Sequence, residues 1–299
     1  MSTIRLTSKD IGYIPGQLPP GPKNSILDVP GVHVGQNTVG KDGEDARKGA
    51  TVIFPRHPDD INIPCYAGLH TLNGNGELTS SYQTKDWGYS NTEQSSKHSG
   101  NECLTSPQKK ENRIKEISHN YGTPIVGETA DFILNDIYSS PLTLEDVRPA
   151  FENALTQQEV QEDQYGGGAV GLSQFGGHGL GRNHSGDIIL ALSTGNKTNE
   201  LVDEPQVDGL SKIEANDIKI IKNESIETLF RAASEATEEE ILNFMIVGRD
   251  GRTGFKGCRL EGLPVDRVRE LVKKYRVDID DGSCLSSGEY LALQNKGVQ

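Results

Sequence analysis

Two short runs hold the residue types that could do chemistry. Ser185-Gly186-Asp187 sets a hydroxyl and a carboxylate two residues apart, directly ahead of the apolar run Ile188-Ile189-Leu190-Ala191-Leu192-Ser193. Side chains two apart in extended backbone face the same way. The pair would therefore sit together at the mouth of a strand, where functional residues concentrate. The same letters also suit a plain turn before a strand. Asn73-Gly74-Asn75-Gly76-Glu77 puts two amides and a carboxylate into a turn that demands Gly and Asn, which tolerate positive φ. Asn73, Asn75 and Glu77 can line a polar cleft or simply build the turn.

Other polar sets say less. Glu128, Asp131, Asn135 and Asp136 read as one polar helix face. His57, Cys65 and His70 match no common zinc spacing, and Cys65 beside Pro64 reads as packing. The Gly-rich run 166–181 lacks the endings that make a phosphate loop. A serine nucleophile inside a chain needs His or Lys as its base. Ser173 and Ser283 have suggestive neighbours, but no buried strand follows either. His178 and His184 lie in a stretch that reads as loop.

The elements that must hold these runs are legible in part. Asn24–Gly35 alternates apolar residues between turn formers and reads as a strand interrupted at Pro30-Gly31. Thr51-Val52-Ile53-Phe54, closed by Pro55, reads as a buried strand. From Thr79 to about Asn120 the chain is polar and nearly free of aliphatic residues, so burial cannot offset its ordering entropy; it reads as a loop. Thr143, with Asp146 three residues on, caps a helix through Leu155 that Pro149 should kink. Ser225–Val247 reads as a helix buried through Ile226, Leu229, Phe230, Ala233, Ile241, Phe244 and Met245. A last helix starts at Pro264 and buries Val265, Val268, Leu271, Val272 and Tyr275.

Strands early and helices late, without βαβ alternation, predict an α+β layered fold. One domain is expected over residues 1–275, with 79–120 as a loose insert and 276–299 as a tail. The 299 residues carry a net charge of −13, which excludes a basic stripe for nucleic acid or an anionic membrane. Only 33% of residues are hydrophobic, which predicts a lean core. No apolar run reaches membrane-spanning length, Met1–Asp10 does not read as a signal peptide, and the four cysteines are scattered; a cytoplasmic location is expected.

Taken together and in order, several segments resemble one family, the self-processing serine aminopeptidases of the L-aminopeptidase/D-esterase (DmpA) type. They are Asn24–Gly35, Lys48–Pro55, Gly68–Thr79, Val126–Ile137, Asn183–Asn196, and Leu229–Asn243 followed by Gly248–Thr253. The resemblance implies an αββα sandwich similar to N-terminal nucleophile hydrolases. It implies a precursor that cleaves itself before a serine, whose hydroxyl becomes the nucleophile and whose own α-amine, with a pKa of about 8, can act as base. It implies hydrolysis of N-terminal amino acids from small peptides, amides or esters, a homo-oligomer, and no metal or organic cofactor. By the same resemblance Ser185 and Asp187 are the catalytic pair beside the nucleophile, and Asn73, Asn75 and Glu77 line the substrate cleft.

The chain departs from that pattern twice. After Leu104-Thr105-Ser106-Pro107, where the family has a buried strand, stands the polar run Gln108–Lys115. Between the Gly166-Gly167-Gly168 loop and Asn183, the segment with the self-cleavage serine and its strand is missing. The expected result is an incomplete sandwich, built from the N-terminal strands, the strand after Asp187 and the last two helices, without hydrolytic activity. An alternative is a non-catalytic binding or assembly partner of full-length relatives.

Overall fold

Every second residue from Lys48 to Phe54 is buried, the period of a strand with one face on a core. The computed structural model describes residues 6–57, 60, 63–90, 94–97, 125–128, 133–138, 142–156, 183, 186–196 and 215–275. Strands are β1 (His33–Val39), β2 (Lys48–Phe54), β3 (Cys65–Thr71), β4 (Tyr89–Ser90), β5 (Gln94–Lys97), β6 (Ile125–Glu128), β7 (Ile188–Ser193), β8 (Arg252–Thr253) and β9 (Arg259–Leu260). Helices are α1 (Ser81–Trp87), α2 (Leu144–Thr156), α3 (Glu227–Val247) and α4 (Val265–Tyr275). One sheet has the order β1-β2-β5-β6, a second β4-β3-β7, and β8 pairs with β9. All pairings are antiparallel except β5 with β6.

The core lies between the first sheet and α2. Ala50, Val52 and Phe54 of β2 meet Leu142, Val147, Ala150, Phe151 and Ala154. The Phe54 and Phe151 rings meet edge to face at 6.1 Å. The Thr143/Asp146 cap forms as the sequence predicts, with Thr143 N–H donating to Asp146 at 2.8 Å, and the helix runs on past Pro149 as one element. Small residues let α2 come very close to β1. A methyl on Gly35 would fall on the carbonyl oxygen of Ala150 and the amide nitrogen of Ala154. Polar bonds fix the same contact: Asn37 donates to the Asp146 carbonyl at 2.6 Å, and Asn153 to the Gln36 carbonyl at 2.9 Å.

A polar strap binds α3. Ser8 N–H donates to Asn243 at 3.0 Å, Tyr13 hydroxyl to Glu238 at 2.7 Å, Leu18 N–H to Glu235 at 2.9 Å, and Asn24 to Glu239 at 2.7 Å. Counted from Glu235, these acceptors stand three, four and eight residues on, and so share one helix face.

Several expectations need correction. The buried face of α3 matches the predicted stripe only in part. Ile241 is buried as expected, together with Glu238, Ile246 and Val247, whereas Leu229, Phe230 and Met245 are exposed, because the strap's polar bonds draw the other side of the helix inward. No residue of α4 is buried; it meets the strap's first turn, where Arg269 donates to the Asp10 carbonyl at 3.0 Å. The helix on the sheet is α2, not either of the last two. Asn24–Gly31 is not a strand: Ser25 caps a short 3-10 turn, Ile26–Asp28, and extended pairing begins at His33. The stretch read as a loop from Thr79 carries α1, β4 and β5, because Gly88 in the left-handed region closes α1 and returns the chain to pair with β3; residues 98–120 lie outside the described residues. Ile125–Glu128 is a strand rather than part of a helix. Asn135 is buried to accept the Arg47 N–H at 2.6 Å, and the Asp136 N–H donates to the Asp45 carbonyl at 2.7 Å.

Gly35→Ala is expected to cost about 1–3 kcal/mol in urea unfolding, since the added methyl overpacks a backbone contact. Gly68→Ala, whose methyl meets nothing within 4 Å, should stay close to the parent protein. Burial, reinforced by the bond to Glu238, pushes the Tyr13 hydroxyl up to about 12, from an ordinary value of 10.0. An acid with a raised folded pKa favours the folded state fully below its unfolded value. Stability should therefore fall as pH rises from about 10 to about 12, and Tyr13→Phe should flatten that fall in unfolding curves recorded across this window.

Candidate active site

The β3–β7 ladder brings the two sequence runs together. Its register sets Thr71 opposite Ile188, and one step further the Leu72 N–H donates to the Asp187 carbonyl at 2.9 Å. β3 then enters the Asn73–Glu77 turn while β7 is entered from Gly186-Asp187, so the two runs lie side by side. Their contact is backbone on backbone: a methyl on Gly186 would fall on the Asn75 carbonyl. Glycine at 186 is therefore a packing requirement. Inside the turn, Asn73 Oδ1 accepts the Asn75 N–H at 2.9 Å, and Gly76 takes φ +82°. Such a side-chain-to-backbone bond is how asparagine builds a turn.

The other side of the turn is clamped to the first sheet. Leu78 bridges Gly127 of β6; Thr79 N–H donates to the Val126 carbonyl at 2.9 Å, and Val126 N–H to Thr79 Oγ1 at 2.7 Å. The bridge register places Glu77 next to Glu128 along β6. The candidate site thus occupies the seam between the two sheets, held by β7 on one side and β6 on the other.

Of the residues expected here, Asn73, Asn75, Glu77 and Asp187 are brought to this seam. Ser185 lies outside the described residues. Asn75 and Glu77 are exposed, and Asn73 and Asp187 are half-buried. Lys85 of α1 also reaches the seam, its Nζ standing 3.4 Å from Thr71 Oγ1. Lys85 carried no signal in the sequence, since α1 itself was not legible. Amide groups and carboxylates facing solvent at one seam can accept hydrogen bonds from a cationic group and complement its charge.

The zinc alternative finds no support in how its residues are used. Cys65 is buried and accepts a bond from Arg56 Nε at 2.8 Å. Burial pushes its thiol up, against the pull of the neighbouring guanidinium. His57 instead packs its ring edge to face with His33 at 5.2 Å. Among the described residues no three His, Cys, Asp or Glu converge as a metal site, and no helix is long and apolar enough to cross a membrane.

Solved structures share this architecture. A beta-aminopeptidase from Burkholderia sp. superposes with a TM-score of 0.76 at 24% identity, over 91% of this chain and all of that one. The L-aminopeptidase D-Ala-esterase/amidase of Ochrobactrum anthropi, described as a variant of the Ntn hydrolase fold, superposes with a TM-score of 0.71 at 23% identity, over 90% and 98%. The α+β Ntn-hydrolase-like sandwich predicted from the sequence is therefore the fold. Among curated relatives, the beta-peptidyl aminopeptidase BapA of Sphingosinicella microcystinivorans is 24% identical over 398 aligned positions, covering 90% of this chain and 92% of the relative. BapA of Sphingosinicella xenopeptidilytica is 30% identical over 173 positions, covering 54% and 42%. The sequence profile of peptidase family S58 matches residues 24–170 and again 168–257. On that match, across most of its length, this chain belongs to peptidase family S58.

Proposed function

We propose that the chain receives the free amino end of a small peptide or aminoacyl amide at the seam between Asp187 and the Asn73–Glu77 turn, and does not hydrolyse it. The observation that carries this reading is the backbone contact of Gly186 on Asn75. It joins the acid of one run to the amides and acid of the other. Glu77 and Asp187 give the seam the charge that complements a substrate ammonium group. The relatives' names, beta-peptidyl aminopeptidase, supply the substrate class.

Two observations support the missing-nucleophile part of the proposal. The 398 aligned positions exceed the 299 residues of the chain, so part of the relative stands opposite gaps in this one. The family profile matches in two pieces that meet at residues 168–170, beside the run where the self-cleavage segment is missing. Ser185 and Asp187 are then an orienting pair whose nucleophile is gone.

A second reading is favoured by the exposed apolar residues Leu229, Phe230 and Met245 on α3: the chain assembles with full-length relatives or with itself. Co-migration with a full-length relative on size exclusion would support it; independent elution of the two proteins would remove it.

Intact-mass measurement after purification and storage should show one species near 32.5 kDa. Two fragments, the second beginning with serine, would overturn the inactive assignment. Aminoacyl p-nitroanilides should release no p-nitroaniline, whereas an aminoacyl amide should bind, with affinity reduced about tenfold by Asp187→Asn or Glu77→Gln through loss of a charge-assisted bond. Release that disappears in Asp187→Ala would instead show an active enzyme.

A further inference from the structure

Among the described residues β7 is the outer strand of its sheet, and half of its backbone groups find no partner there. The Leu72–Asp187 bond fixes the alternation of the ladder: Asp187, Ile189, Ala191 and Ser193 address β3. The N–H and C=O groups of Ile188, Leu190 and Leu192 therefore point away from β3. Among the described residues no partner reaches them. Edge strands are commonly protected by charge, proline or a bulge. Here Ile188–Ser193 contains no charged residue and no proline, and Ile189 is 41% exposed.

The two ends of this edge differ in character. Asp187 and the Asn73–Glu77 turn stand where β7 begins and make that end acidic. Where it ends, Asn196 is gripped from both sides. Its carbonyl accepts Arg56 Nη2 at 2.5 Å, and its side chain exchanges two bonds with the Lys219 backbone, at 2.8 and 2.9 Å. Arg56 is buried, and the exposed run 215–224 sets Lys219 and Lys222 against Asp217 and Glu224, so this end has no acidic excess.

We infer that the open edge of β7 is a peptide-binding strand site. An uncharged, extended peptide adds to it in parallel, its amino end drawn to the acidic end at Asp187 and Glu77 and its carboxyl end running toward Asn196. Six residues at about 3.3 Å each cover the strand, roughly 20 Å. Backbone bonds would supply the affinity, and the uncharged flanks of β7 would favour apolar side chains. This inference rests on the proposed amino-end recognition at the seam and adds the rest of the ligand.

The test uses fluorescence anisotropy of a labelled apolar hexapeptide with a free amino terminus. N-methylation at one alternate set of residues should weaken binding about tenfold, because their N–H groups face β7. Methylation at the other set should leave it within about twofold. Acetylating the amino terminus should weaken binding by a similar factor. Leu190→Pro removes an outward N–H without taking a bond from β3 and should abolish binding, with circular dichroism confirming the fold. If that variant does not fold, the methylation scan on the parent protein still decides. Equal effects from both methylation sets, or no binding at all, would overturn the inference. So would a dimer, seen by sedimentation, that Leu190→Pro dissociates, since a second copy would then cover the edge. Peptide binding without hydrolysis supports the edge whatever the fate of the seam as a catalytic site. Hydrolysis of short anilides without hexapeptide binding would sink the edge and leave amino-end recognition standing.

Discussion

The antiparallel ladder between Cys65–Thr71 and Ile188–Ser193 is the constraint on which the candidate site depends. A register slip of one residue would turn every β7 side chain to the opposite face. It would also carry Gly186 off the Asn75 carbonyl and put a side chain where only a hydrogen fits. The ladder therefore does two things at once. It joins residues more than a hundred positions apart, and it gives glycine at 186 a purely geometric reason. The clamp of Leu78 and Thr79 on β6 then ties this sheet to the one that carries the core.

The core and the site are consequently separable. Packing energy is concentrated where α2 lies on β1 and β2, with alanine and glycine setting the approach. The seam adds little buried apolar area and relies on backbone bonds. That division lets a member of family S58 change at the seam without disturbing the core. The residues that specify the fold are not the residues that would do chemistry.

Much of this was legible in the sequence where a pattern is local. β2 shows in its short apolar run Thr51–Phe54 closed by Pro55, β7 in its uncharged apolar run, and α2 in its Thr143/Asp146 cap. The two chemical runs stood out by composition. Their meeting was not readable, because it is set by a long-range register. α3 was legible as a helix but not in its orientation. Its apolar stripe pointed one way, and acceptors for donors more than two hundred residues upstream pointed the other. α1 escaped notice because Tyr82-Gln83-Thr84-Lys85 has no apolar period; a left-handed Gly88 and pairing of the next two residues with β3 hold it in place. Lys85 at the seam was hidden with it.

The strap on α3 also bears on how the protein is made. The long-range bonds of Ser8, Tyr13, Leu18 and Asn24 end on Glu235, Glu238, Glu239 and Asn243. A ribosome adding roughly 5–20 residues per second delivers those acceptors some ten to forty seconds after the strap has emerged. Throughout that interval Tyr13 and Ile11 have no home, while β1, β2 and α2 can already close on one another. The strap is thus synthesised well before its partner and docks late, and the nascent protein depends on nothing else capturing those residues in the meantime.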